Sequence, residues 1–83
     1  MNQLEKTQII NQSIKEIEKQ YHVSCIDYLL YEELGYKTDD SQFIKLIEEQ
    51  LDEEQLDDKD LYLEIAIGQI GDILEKEGII QEG

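Results

Sequence analysis

The sequence predicts an all-α protein, a small antiparallel bundle of about four helices in one domain over residues 1–83, and three observations predict it. Proline is absent and no glycine precedes Gly35, so the first 34 positions lack the residues that break helices or punctuate a many-stranded fold. The apolar stock is aliphatic: thirteen Ile and ten Leu stand against one Phe, five Tyr and no Trp, enough for one small helical core. Apolar positions also recur three and four residues apart through most of the chain. A domain this short buries only about 60% of the surface its unfolded chain exposes, which leaves no spare volume for a buried cofactor or a deep substrate pocket.

The first helix is expected over residues 2–21, where Ile10, Ile14, Ile17 and Tyr21 fall within about 60° of one another on a helical wheel. His22-Val23-Ser24 breaks it, and Ser24 followed by Asp27 has the spacing of a capping box for a second helix over residues 25–34. That helix carries Ile26, Tyr28, Leu29, Leu30, Tyr31 and Leu34 on several faces, so it is expected to be the most enclosed element, with Gly35 as its left-handed terminal residue. Thr38, Asp39 and Asp40 offer side-chain acceptors for the start of a third helix, which turns Phe43, Ile44, Leu46, Ile47 and Leu51 to one side. Like charges four apart, Glu48 with Asp52 and Glu49 with Glu53, predict fraying after about Gln55. Asp57, Asp58 and Asp60 provide caps for a fourth helix over residues 59–77, closed by Gly78, with Tyr62, Leu63, Ala66, Ile67, Ile70, Ile73 and Leu74 as its main stripe.

Charge narrows the partner classes. The formal charge of −14 comes from 21 acidic residues against seven lysines, and arginine is missing. Binding to a phosphate backbone or an anionic membrane needs a basic patch, and the chain has none, so direct nucleic-acid and membrane contact are not expected. The excess is uneven: residues 1–23 hold three lysines and three glutamates, while residues 24–83 hold four lysines and eighteen acids. The opening residues lack a basic stretch followed by an apolar run, no segment approaches the roughly 18 apolar residues of a membrane span, and Cys25 has no second cysteine to pair with. A cytoplasmic location is expected.

Chemistry-bearing constellations are few. His22 and Cys25 form an H-x-x-C pair, but no second His or Cys completes a zinc site, and no group orients the pair for nucleophilic catalysis. A buried thiol and a surface imidazole are expected instead. Aligning residues 53–64 on a calcium loop puts Asp58 where glycine is required, so no metal and no cofactor are expected, and no enzyme site. The run over residues 48–60 contains eight acids and one lysine, a net of −7. Carboxylates four apart on a helix stand about 6 Å from each other, near the phosphate spacing of a nucleic-acid strand. A helix edge bearing Glu48, Glu49, Asp52, Glu53, Asp57, Asp58 and Asp60 is therefore the expected contact with a basic protein surface, such as that of a nucleic-acid-binding protein.

By analogy of charge and size alone, that expectation describes a DNA-mimic inhibitor of the kind phages and mobile elements use against restriction, CRISPR or transcription enzymes. An immunity protein or antitoxin that neutralises a basic toxin is the alternative. A third reading starts from the fourth helix, where Leu61 and Ile65 lie opposite the main stripe and Gly68 and Gly71 leave a low patch that invites a close neighbour. That patch is expected to meet the first or second helix, or else to form a homodimer or partner face with Tyr28 and Tyr31 as anchors. Residues 70–81, IGDILEKEGIIQ, resemble the end of a winged-helix domain, where a helix leads into a short strand. The resemblance implies a version without DNA binding, because the preceding helix lacks basic residues and the chain stops before a wing hairpin.

Overall fold

The computed structural model describes residues 1–81, and among these the chain forms four helices and no strand, the expected all-α fold. Helix α1 spans Gln3–Tyr21. Asn2 starts it: its Oδ1 accepts the Glu5 amide at 2.8 Å while Glu5 reaches back to the Asn2 amide, a reciprocal cap of two otherwise unpaired N–H groups. His22, in the left-handed conformation at φ 55°, ends it. Ile10, Ile14 and Ile17 are buried as the periodicity predicts, joined by Ile9 and by Ser13, whose hydroxyl donates to the Ile10 carbonyl at 2.6 Å.

Helix α2 covers Ile26–Tyr28 and runs on as a wide π-helical turn over Leu29–Glu33. The expected Ser24–Asp27 capping box does not form. Cys25 takes left-handed backbone at φ 59° and offers no side-chain cap; the Ile26 amide is instead accepted by Glu18 Oε2 of α1 at 3.2 Å. Nor is α2 the most enclosed element, since only Ile26 and Leu30 are buried while Tyr28 and Tyr31 face out. The molecule measures 33 × 25 × 18 Å, and α2 packs against α1 at its surface with its outer side open to water. Gly35 closes the turn at φ 75°, and the Tyr36 amide then reaches back to the Leu30 carbonyl at 2.7 Å.

Helix α3 spans Ser41–Glu48, opened by Asp40, whose Oδ1 accepts the Gln42 amide at 3.2 Å. It stops at Glu48, well before the expected fraying point at Gln55. Beyond it a short 3-10 turn over Glu53–Gln55 forms, with the Asp52 amide donating to Gln55 Oε1 at 2.9 Å, and the bend lets Leu51 and Leu56 pack against the core. Helix α4 spans Lys59–Lys76, capped by Asp58, whose Oδ1 accepts the Leu61 amide at 3.1 Å. Tyr62, Ala66, Ile70 and Leu74 are fully buried; Leu63, Ile67 and Ile73 are only partly covered. After Gly78 the chain folds back and buries Ile80. Ile79-Ile80 therefore forms no strand, and the likeness to a winged-helix terminus ends there.

The largest interface joins α1 to α4. Lys59 pairs with Glu5 at 3.2 Å, the Met1 amine pairs with Asp57, and Ile17 and Tyr21 line one hollow with Gly71 and Glu75. These contacts set like ends together, so α1 and α4 run in the same direction. This refines the expected antiparallel arrangement: α2 returns along α1, but α3 is too short to restore the up-down alternation before α4 begins.

Candidate functional site

Starts of three helices meet at one end of the molecule, and the acidic run lies there. Gln3 Nε2 donates to the Asp39 carbonyl at 3.4 Å, bringing the start of α3 to that of α1, while the Lys59–Glu5 pair brings in α4. Each N-terminus presents unpaired amides and a partial positive charge, which side-chain oxygens and carboxylates satisfy. Part of the acidity is thus used inside the chain.

The structure separates the seven acids expected to form one contact edge. Glu48 leaves it. Its carboxylate is four-fifths covered, pairs with Lys6 Nζ at 2.5 Å and accepts a long hydrogen bond from the Tyr62 hydroxyl at 3.4 Å, so it ties α1, α3 and α4 together. Burial of Tyr62, and then the nearby Glu48 charge, push the phenol well above its ordinary pKa. Asp58 caps α4 but stays exposed. Asp57, also exposed, accepts from the Met1 ammonium, a hydrogen bond and charge that hold its carboxyl below the usual range. The Lys59 hydrogen bond, with the Asn2 amide second, does the same for Glu5. Glu49, Asp52, Glu53, Glu54 and Asp60 are exposed and make no ion pair among the described residues.

A straight helix edge with carboxylates 6 Å apart is not what these residues form. Because α3 ends at Glu48, the pairs Glu48–Asp52 and Glu49–Glu53 never enter a shared helical register. The exposed acids instead surround the joint between α3 and α4. Lys6 and Glu18 were not singled out by sequence, and Tyr62 was read only as a core position; the available signal was that Lys6 is one of only seven lysines and lies in the net-neutral residues 1–23.

The α4 patch also departs from expectation. Leu61 and Ile65 are partly covered, and a Cβ on Gly68 or Gly71 would meet no atom within 4 Å, so no other helix among the described residues makes the close approach that two helical glycines suggested. Tyr28 and Tyr31, by contrast, are 60% and 52% exposed. Cys25 is exposed along with His22, which corrects the expected buried thiol; it lies in the left-handed joint between α1 and α2, outside the core cluster. No group of three or more metal-ligating side chains comes together among the described residues, and none of their helices is long and apolar enough to cross a membrane.

Fold and surface together define a small all-α protein with one acidic end and one tyrosine-bearing side. Comparison with protein-family models, curated protein sequences and solved structures finds no match to this chain.

Proposed function

We propose that the protein is a stoichiometric binder that engages the basic surface of another protein, one built to handle nucleic acid, and inhibits or regulates it by occupying that surface. The observation that carries this reading is the confinement of the whole net charge of −14 to residues 24–83, with no arginine in the chain. The exposed carboxylates of Glu49, Asp52, Glu53, Asp57, Asp58 and Asp60 gather about the α3–α4 joint and form the contact. Coulomb attraction acts over roughly 8 Å at physiological salt, steering a basic surface toward this end before any close contact forms. Once docked, carboxylates replace phosphates as acceptors for lysine and arginine donors, and the remaining negative charge repels nucleic acid from the same groove.

The experiment is affinity capture of the partner from host cells, followed by competition. Duplex DNA is expected to displace the protein from its partner, and affinity is expected to fall steeply as salt rises. Glu49→Lys combined with Glu53→Lys is expected to weaken binding by about tenfold or more without unfolding the chain, since neither side chain has an ion-pair partner among the described residues. An affinity indifferent to both salt and DNA would overturn the reading.

A further inference from the structure

We propose that the tyrosine side of α2 is a second contact surface, shaped to receive an arginine-bearing segment of the partner; the proposal rests on the reading of the protein as a binder of basic surfaces. Leu4, Tyr28 and Tyr31 are the large apolar side chains most exposed to water, and two of the three stand on α2. The π-helical turn over Leu29–Glu33 directs Leu30 into the core while leaving Tyr31 outside. Such turns are rare and recur at functional positions. Here the Leu34 amide reaches the Leu29 carbonyl at 3.3 Å.

Tyr31 stands at the rim between two hollows. One is walled by Tyr36, Phe43 and Leu46, with Tyr36 set edge-on to Phe43 at 5.7 Å and 62°; the other is edged by Asp27 and Asp39. An aromatic wall and a carboxylate edge thus meet at one ring. Residues 27–40 hold five acids and one lysine, a net of −4, so the partner segment that suits this side is cationic. Arginine suits it better than lysine. A guanidinium lies flat on a tyrosine face and still presents its N–H fork to a neighbouring carboxylate, whereas an ammonium contributes charge without the planar stack. Lys37 lines both hollows and sets the repulsion an incoming cation meets.

The test is an NMR titration of the isotope-labelled full chain with a synthetic oligo-arginine peptide and its oligo-lysine counterpart at physiological salt. Amide shifts are expected at Tyr28, Tyr31, Tyr36 and Asp39, with the arginine peptide binding about tenfold tighter than the lysine one. Tyr31→Ala is expected to lose about tenfold in affinity, and Tyr31→Phe, which keeps the ring face, to bind as the parent does. Lys37→Glu is expected to tighten binding. Circular dichroism of each variant separates lost contact from lost fold. Shifts confined to residues 49–60, with Tyr31→Ala binding like the parent, would overturn this inference and leave the acidic-end contact standing. Absence of binding by either peptide, even at low salt, would overturn both. Self-association abolished by Tyr31→Ala would assign the surface to a second copy of the chain and overturn it too.

Discussion

At the scale of single residues, the two glycines within α4 stand out because no packing requires them. Glycine in a helix interior costs backbone entropy, and a Cβ at Gly68 would enter open space. Gly68→Ala is expected to stabilise the protein by up to about 1 kcal/mol, seen as a melting point higher by roughly 4–8 °C. A rise in stability accompanied by loss of partner binding would mark this patch as a place of close approach; a rise without such loss would leave it a plain surface. Tyr62 yields a second prediction at this scale. Its raised phenol pKa means the folded state keeps a proton that the unfolded chain releases. Its contribution is full below the phenol's ordinary value of about 10 and is lost as pH rises past that value toward the raised native one. Thermal melts across that range are expected to show a decline for the parent that is shallower for Tyr62→Phe, which keeps the ring and removes the titrating group.

At the scale of elements, the ends of the helices explain more than their middles. Asp58→Ala is expected to cost about 1 kcal/mol in chemical denaturation, because the Leu61 amide loses its acceptor, whereas Asp58→Ser retains the cap and sheds the charge. The serine variant therefore isolates any role of Asp58 in partner binding. Glu18→Ala is expected to destabilise α2 by a comparable amount, about 1 kcal/mol, through the Ile26 amide. The positions of α1 and α4 were legible in the sequence because long aliphatic periodicity, Gly78 and the capping aspartates all agree on them. The limits of α2 and α3 were not. What starts α2 is a carboxylate eight residues upstream, and what holds the end of α3 is Lys6, far away in sequence. Local pattern carries neither fact. For the same reason the acidic run was legible as composition, while its shape around a joint was decided by tertiary contacts.

At the scale of the molecule, self-repulsion from a charge of −14 opposes the compact state, with three ion pairs among the described residues set against it. Raising salt from about 0.01 M to about 0.15 M shortens the screening length from roughly 30 Å to roughly 8 Å, and the melting temperature is expected to rise. A fall would show that the ion pairs outweigh the repulsion. The like direction of α1 and α4 bears on how the chain reaches this state. The main interface unites the first helix with the last, so it closes a loop through α2 and α3, unlike the local hairpins that let most helical bundles fold fast. Docking of α4 onto α1 is then expected to be the slow step, so that mutations in that seam retard refolding in stopped-flow measurements, whereas mutations on the outer side of α2 mainly hasten unfolding. Once the seam is shut, α2 lies outside it, so opening of the tyrosine-bearing side is expected to leave the α1–α4 contact in place, seen as faster amide exchange over residues 26–33 than in either long helix.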